Sequence, residues 1–125
     1  MKGRPVSVYD SSLQIENKEI HVIIDTGAGI TLIGGKLYDE IKKGTIQLDL
    51  DGKSLTAVNG GKLTIRGKDM VLFSVGENHL LHEIKVVEEL GWICLLGTDL
   101  LKRWNAVIDF DKEEIVIGKC RLPLT

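Results

Sequence analysis

The stretch best suited to do chemistry is Asp25-Thr26-Gly27, which directly follows the β-branched run Ile20–Ile24. The apolar run draws the Asp25 carboxylate toward the interior, where an isolated charge is costly. Two such carboxylates side by side can share one proton, which provides one acid and one base in one site. Gly27 has no Cβ, so a peptide backbone can approach it, and the Thr26 hydroxyl can hydrogen-bond across the loop. The pattern indicates a paired-carboxylate acid–base site.

Short strands and tight turns must position this stretch. Fourteen glycines and only 5% aromatic residues favour an aliphatic sheet protein. Asn59-Gly60 is the strongest hairpin signal, and alternating residues follow it over 62–66. Strands are predicted over 6–9, 13–15, 20–24, 30–33, 45–50, 54–58, 62–66, 70–75, 84–87, 92–96, 106–110 and 114–117.

One short helix is predicted near the C-terminus, over 98–104. Thr98 and Asp99 are residues that cap or begin helices, and Lys102 and Arg103 supply positive charge near its far end. The residues around 37–41 predict one or two further helical turns, closed by Lys42-Lys43-Gly44. The sum is a mainly β protein.

Size and charge exclude several classes. The chain has 125 residues with 43% hydrophobic and 27% charged residues, which predicts a single domain over 1–125. That is too short for a TIM barrel, a two-half dinucleotide fold or a kinase. The net charge of −2 argues against nucleic acid as a partner. No apolar run reaches the roughly 18 residues of a membrane span, so no membrane partner is predicted.

Three segments together resemble a known family. Asp25-Thr26-Gly27-Ala28, followed by Thr31-Leu32-Ile33, is similar to the active-site motif of retropepsin-like aspartic proteases, the proteases of retroviruses and LTR retrotransposons. The chain also resembles the retroviral-like protease domain of ubiquitin-shuttling proteins. Residues 56–63 resemble the family's flap, a hairpin with a glycine-rich tip. Residues 95–101 resemble its second motif, an apolar strand followed by Gly, any residue, Asp or Asn, and a helix. The segments occur in family order, and the resemblance covers residues 5–118.

The resemblance implies an all-β fold: a closed β-barrel with a flap hairpin and one short C-terminal helix, forming half of a two-fold dimer. Only one Asp-Thr-Gly occurs in the chain, whereas the chemistry needs two carboxylates. The resemblance therefore implies a homodimer in which each subunit contributes one Asp25. The implied activity is that of an aspartic endopeptidase acting on a peptide or polyprotein, in polyprotein processing, with no metal and no cofactor.

The site residues follow from the same resemblance. Asp25, Thr26 and Gly27 are the expected catalytic residues. Apolar side chains near the motifs are expected to form subsite walls, which predicts hydrophobic residues beside the scissile bond. The expected substrate-binding residues are Ala28, Gly29, Ile30, Leu32, Ala57, Val58, Asn59, Gly60, Gly61, Trp92, Ile93 and Leu95.

Two positions depart from the family pattern. Many viral members have an acidic residue after Asp-Thr-Gly-Ala and an arginine after the later glycine, whereas this chain has Gly29 and Thr98. The salt bridge that those members use at the dimer interface is therefore absent. A non-catalytic dimerisation or binding module with the same fold is the alternative function, although an intact Asp-Thr-Gly argues against it.

Other polar residues have simpler interpretations. Asp99 is expected to be a helix cap or first-turn residue. His79 and His82 lie in a polar connection without a third ligand, so they are expected at the surface and not on zinc. Cys94 is expected to be a buried hydrophobe. Two cysteines without a CxxC, and no apolar leader after Met1–Pro5, predict a reducing location, the cytoplasm or the inside of a virus-like particle.

Overall fold

A mixed β-sheet with two short helices forms the body of the protein. The computed structural model describes residues 6–8, 13–42, 54–56 and 62–124. Within those ranges the strands are β1 (Val6–Val8), β2 (Leu13–Ile15), β3 (Lys18–Glu19), β4 (Val22–Ile24), β5 (Leu32–Gly34), β6 (Ser54–Thr56), β7 (Lys62–Val75), β8 (Asn78–Val87), β9 (Cys94–Leu96), β10 (Val107–Asp109), β11 (Glu114–Ile117) and β12 (Cys120–Pro123). The helices are α1 (Gly35–Ile41) and α2 (Thr98–Arg103), with a 3₁₀ turn over Glu88–Leu90.

The first sheet brings the two glycine motifs to one edge. Its strand order is β1-β4-β9-β5-β8-β7-β2-β3, and β6 pairs with β7. β4 and β9 are neighbours and run parallel, with Ile24 opposite Leu96. Because parallel strands end on the same side of a sheet, the residues that follow them, Asp25 and Gly97, leave the sheet side by side.

β7 and β8 form one long hairpin where the sequence predicted shorter, separate strands. The two-residue turn Gly76-Glu77 joins them, with Val75 opposite Asn78. Gly76 has a φ of 57°, a left-handed conformation that glycine adopts without the Cβ clash of other residues. A register shift between Ile65 and Gly67 marks an irregularity in β7. The polar stretch 78–83 is therefore strand, because cross-strand pairing overrides its weak apolar pattern.

Both segments that were predicted to be helical form helices. α2 lies where the sequence predicted it. The one or two turns expected around 37–41 form a full helix, α1, which buries Leu37, Tyr38 and Ile41 against the sheet. At seven residues α1 is about two turns long, as predicted, and it adds a second helix to the predicted C-terminal one. The spacing of the three buried residues places them on one helical face, so tertiary packing stabilises a segment that is short for a helix on its own.

The last three strands of the chain form a second sheet, in the order β10-β11-β12. Ile115 and Ile117 of β11 and Leu122 of β12 are buried in the same hydrophobic core as Phe73 and Ile24. β12 extends the folded part past residue 118, where the sequence resemblance ends. No helix in the described ranges is long and apolar enough to span a membrane.

The described strands form a curled half-barrel, and a closed barrel stays a prediction. The path of the first sheet ends at β1 and β3, which do not pair with each other within the described ranges. β6 and β7 pair antiparallel, with Thr56 opposite Lys62. The predicted flap tip, Ala57, Val58, Asn59, Gly60 and Gly61, lies outside the described residues.

Candidate active site

Asp25 is the first residue after β4, and its loop is fixed by short-range hydrogen bonds. The Asp25 side chain is half-buried. Its Oδ1 accepts a hydrogen bond from the Gly27 amide at 2.9 Å, and its carbonyl accepts one from the Ala28 amide at 3.1 Å. A carboxylate that accepts a bond from its own chain two residues on forms a turn that holds the side chain in one orientation. One oxygen of Asp25 is thus held by the loop backbone.

The segment after β9 supports this loop from the neighbouring strand. The Asp25 amide donates to the Leu96 carbonyl at 3.0 Å, which continues the parallel pairing of β4 and β9. The Thr98 amide donates to the Ala28 carbonyl at 2.8 Å. The second glycine motif therefore binds the first through the backbone at the loop's start and at its middle.

Gly97 allows the two motifs to approach this closely. A Cβ at Gly97 would lie 2.6 Å from the carbonyl carbon and oxygen of Ile30 and 2.9 Å from its amide nitrogen. Contacts that short with backbone atoms do not occur without displacement of one of the two segments. The glycine of the second motif is thus required by the backbone of the first.

Asp99 holds the end of the loop. Its Oδ1 accepts from the Thr31 hydroxyl at 2.7 Å and its Oδ2 from the Thr31 amide at 3.2 Å. Thr31 is fully buried, and its hydroxyl oxygen also accepts from the Gly97 amide at 3.1 Å. Burial opposes the charge of Asp99, but hydrogen bonds from His82, Thr31 and Leu100 outweigh it, so the pKa of the Asp99 carboxyl lies below its ordinary value. Asp99 lies in the first turn of α2, as the sequence predicted, and contacts the loop as well.

His82 is buried, and its predicted surface position is wrong. Only 7% of it is exposed, and its Nε2 lies 2.8 Å from Asp99 Oδ2. The signal for this was present in the alternation of β8, because His82, Ile84 and Val86 share the face that points to the core. His79, whose Nδ1 lies 2.8 Å from the Ser74 hydroxyl, is exposed as predicted.

The other predicted site residues fall into two groups. Ala28, Gly29 and Ile30 belong to the Asp25 loop, and Ile30 is exposed. Leu32 is buried and lies directly opposite the half-buried Leu95.

Trp92 and Ile93 form the second group. They are 61% and 42% exposed. They lie just before β9, four to five residues before Gly97, at the end of that strand away from Asp25. The structure therefore gathers Asp25 to Ile30 with the second motif and leaves Trp92 and Ile93 farther along the sheet.

One carboxylate lies beside the base of the hairpin formed by β6 and β7. Oε1 of Glu89, in the 3₁₀ turn, accepts from the Thr64 amide at 2.7 Å, and the two hydrogen bonds from Thr64 lower the pKa of this exposed carboxyl. Thr64 pairs with Ser54 across the hairpin. The turn that leads to Trp92 is thus attached to β7 near the predicted flap.

A cavity of about 650 Å³ opens beside the loop. It begins at Thr26, next to Asp25, and extends along α2 to Ile108 of β10. Its lining residues are Thr26, Thr98, Leu101, Lys102, Asn105, Ala106 and Ile108. Within the described ranges, no three His, Cys, Asp or Glu side chains are grouped as metal ligands.

Comparisons with known proteins identify the fold. No family model matches the chain. The retroviral protease-like domain of Ddi1 from Leishmania major aligns with a TM-score of 0.73 at 19% identity, over 100% of this chain and 95% of that one. EIAV protease, solved with the inhibitor HBY-793, aligns with a TM-score of 0.66 at 20% identity, over 86% and 93%. A retropepsin-like aspartic protease from Rickettsia conorii gives 0.58 at 20%, over 100% and 98%.

All three similar structures are retropepsin-like protease domains, so the resemblance recognised in the sequence is confirmed at the level of the fold. The chain has a mainly β, retropepsin-like fold. Identities near 20% carry the fold and not the chemistry, so the activity has to be argued from this chain's own residues.

Proposed function

We propose that this protein is one subunit of an aspartic endopeptidase, active as a homodimer in which each chain contributes Asp25. One observation carries the proposal. Asp25 lies at a sheet edge in a loop whose start, middle and end are each hydrogen-bonded to the second glycine motif, at Leu96, Thr98 and Asp99. A loop held at three points keeps the Asp25 carboxylate in one position, which is what acid–base catalysis requires of it.

The proposed chemistry is general acid–base catalysis by a carboxylate pair. Two Asp25 side chains that face each other across a two-fold axis share one proton. The ionised carboxylate takes a proton from a water molecule as its oxygen attacks the peptide carbonyl carbon. The protonated carboxyl gives its proton to the carbonyl oxygen. As the tetrahedral intermediate collapses, the carboxyl that took the proton from water gives it to the departing nitrogen, and the other carboxylate takes a proton from a hydroxyl of the intermediate, which restores the shared proton. The hydrogen bond that the Gly27 amide donates to Asp25 Oδ1, at 2.9 Å, orients the carboxylate for this role.

The surface beside Asp25 supports a second copy as the partner. The cavity runs from Thr26 along α2 to β10. β10 is an edge strand of its sheet, and Val107 and Phe110 at this edge are 60% and 57% exposed. An edge strand with exposed apolar residues favours pairing with another chain. Because the proposed site needs a second Asp25, an isologous dimer satisfies both requirements.

Peptide binding is proposed along an apolar surface that begins at Ile30 in the Asp25 loop and continues toward the start of β9. Ile30, Trp92 and Ile93 are exposed, and Leu95 is half-buried. Exposed apolar side chains beside a catalytic loop favour substrates with hydrophobic residues next to the scissile bond. The hairpin of β6 and β7, tied to the 3₁₀ turn through Glu89, is the proposed flap that closes over the peptide.

The test is cleavage of a peptide library by the purified chain and by Asp25→Asn. The amide has the shape of the acid but cannot act as the base, so we expect cleavage to fall at least about 100-fold. Sedimentation is expected to give the same dimer for both proteins. Glu77→Gln makes the same acid-to-amide change in the exposed turn between β7 and β8 and is expected to cleave like the wild type.

Two outcomes reject the proposal. Cleavage by Asp25→Asn at more than a few per cent of the wild-type rate means that another group is the catalyst. A wild-type dimer that cleaves no member of the library supports the alternative, a non-catalytic dimerisation or binding module. The cleaved positions, when they are found, define the subsites and the polyprotein or other peptide that the enzyme processes.

A further inference from the structure

We propose that Asp99 and His82 are positioning residues that hold the end of the Asp25 loop for catalysis through Thr31. The inference rests on the proposed function, because its kinetic consequence requires that Asp25 be the catalytic residue. It assigns a role to a buried histidine and an acid for which the proposed chemistry has no direct use.

The Asp99 carboxylate uses both oxygens fully. Oδ1 accepts from the Thr31 hydroxyl at 2.7 Å and from the Leu100 amide at 2.8 Å. Oδ2 accepts from the Thr31 amide at 3.2 Å and lies 2.8 Å from His82 Nε2. Two carboxylate oxygens offer about four acceptor positions, so the site is saturated. A group with four directed bonds has one orientation, and two of those bonds go to Thr31.

Arg103 determines the tautomer of His82. Its Nη1 lies 2.9 Å from His82 Nδ1 and donates to the Leu81 carbonyl at 3.0 Å. A guanidinium has only donors, so Nδ1 must be the acceptor and a neutral ring carries its proton on Nε2. That N–H points to Asp99. The last turn of α2, which carries Arg103, thus sets the tautomer that allows His82 to hold the acid in the first turn.

Thr31 transmits this geometry to the loop. It is fully buried, and its hydroxyl donates to Asp99 while accepting from the Gly97 amide at 3.1 Å. The loop from Asp25 to Ile30 is therefore fixed at its start by Leu96 and at its end by Thr31. Displacing a catalytic group by about 1 Å can cost about 100-fold in rate, so the anchor at the loop's end has a kinetic consequence.

Asp99→Asn is the most direct variant. In either orientation the new N–H groups meet donors. At the Oδ2 position they face the Thr31 amide and the His82 Nε2–H, and at the Oδ1 position they face the Leu100 amide. Arg103 prevents the ring from changing tautomer. We expect kcat to fall at least about tenfold, with KM within about threefold of wild type, because the loss is in the placement of the catalytic group. Glu83→Gln, the same type of change at the exposed neighbour of His82 on β8, is the control and is expected to leave both constants unchanged.

A pair of His82 variants separates the hydrogen bond from packing. The Gln side chain places an amide N–H near the position of Nε2, whereas Leu fills the space without a donor. We expect His82→Gln to keep more than half of kcat and His82→Leu to lose about threefold to tenfold, which is the range of a typical intramolecular hydrogen bond. Equal loss in both variants overturns the hydrogen-bonding role. This pair also decides the question if Asp99→Asn does not fold.

Amide hydrogen exchange tests the inference without substrate. The Thr31 amide is expected to exchange at least about tenfold faster in Asp99→Asn than in wild type, while amides of β11 keep their rates. Unchanged exchange and kcat in both Asp99→Asn and His82→Leu overturn the proposal. If the wild type cleaves no peptide, the proposed function fails, and faster exchange of Thr31 still supports the loop anchor.

Discussion

The Asp25 loop and strand β10 both line one cavity, through Thr26 and Ile108, and the two regions are built in opposite ways. In the loop, the polar groups are paired: Asp25, Ala28 and Thr31 all bond to the segment from Leu96 to Asp99. At the β10 edge, Val107 and Phe110 leave more than half of their surface exposed. A single subunit can thus complete the geometry of one carboxylate but leaves an apolar surface uncovered. Under the proposed function, folding prepares the loop and association with a second copy completes the site.

The largest effect is expected from Gly97→Ala, which disturbs the packing of the Asp25 loop against the second motif. The added Cβ would lie 2.6 Å from the Ile30 carbonyl. The backbone at Ile30 or at residue 97 must shift, so we expect the cleavage rate to fall about 100-fold. The free energy of unfolding is expected to fall by about 1–3 kcal/mol, because the contact is overpacked. Peptide cleavage and thermal unfolding measure the two.

Gly29→Ala is the stability control for this variant. A Cβ there meets no atom within 4 Å, so the melting temperature is expected to stay that of the wild type. Wild-type cleavage by the Gly97→Ala variant would show that the close approach of the two motifs does not matter for activity.

The next effect is expected at the β10 edge, from Val107→Lys. A charge on an exposed edge strand opposes pairing with a second copy. We expect the dimer to dissociate at concentrations at least about tenfold higher than for wild type, and activity to recover with protein concentration by mass action. Sedimentation at several protein concentrations measures the dissociation, and peptide cleavage at the same concentrations measures the activity.

Met70→Lys tests whether any exposed apolar residue has the same effect. Met70 is 43% exposed on β7, outside the proposed interface, and its substitution is expected to leave the dimer intact. A Val107→Lys variant that stays dimeric at the same concentrations as the wild type would place the interface on another surface.

A smaller effect is expected from Asp99 on acid stability. Its pKa is lower in the folded than in the unfolded protein, so the ionised form stabilises the fold above the unfolded-state value of about 3.9. That contribution is lost as the pH falls through the lower folded value. The melting temperature of Asp99→Asn should therefore lie below that of wild type at neutral pH, and the gap should narrow below about pH 4.

The matched control for Asp99→Asn is Asp111→Asn, which makes the same change in the exposed turn between β10 and β11. Surface substitutions of this kind change stability by no more than about 0.5 kcal/mol, so no comparable gap is expected at any pH. A gap between Asp99→Asn and wild type that widens toward acid pH would contradict the assigned ionisation of Asp99.

The smallest effect is expected on thiol reactivity, which compares β9, the strand beside the Asp25 loop, with β12, in the same sheet as β10. Cys94 of β9 is fully buried, and burial raises the pKa of its thiol to about 12. Cys120 of β12 is half-buried. Because the thiolate is the reactive form, a thiol reagent at about pH 8 is expected to label Cys120 first and Cys94 only on unfolding. Rapid labelling of the Cys120→Ser variant would show that β9 is less tightly packed than its burial indicates.

Local patterns predicted most elements and part of the site. The apolar run before Asp25 predicted β4, and the capping residues and terminal charges at 98–103 predicted α2. The Asp-Thr-Gly motif and the second glycine motif identified the fold at the level now confirmed. These signals succeed because each depends on neighbours within a few residues: strand alternation, turn chemistry and helix ends.

Other features required contacts between distant segments. His82 was expected at the surface because its sequence neighbours are polar, but pairing with β7 turns its side chain to the core. The sequence predicted the one or two turns of α1, but the burial of its apolar face against the sheet came only from the structure. The catalytic and substrate-binding roles of the site residues stay predictions that the variants above decide.

The sequence by itself determined the chemistry that Asp25 can do, the strand that delivers it and the glycines that allow close approach. Only the tertiary structure decided that Asp99 holds Thr31, that His82 is the buried partner of that acid, and that the edge of β10 is left apolar. The physical reason is distance along the chain. A hydrogen bond between residues 31 and 99 leaves no periodic trace in either segment. A side chain's burial depends on which strand pairs beside it, and that is settled only when the whole sheet forms.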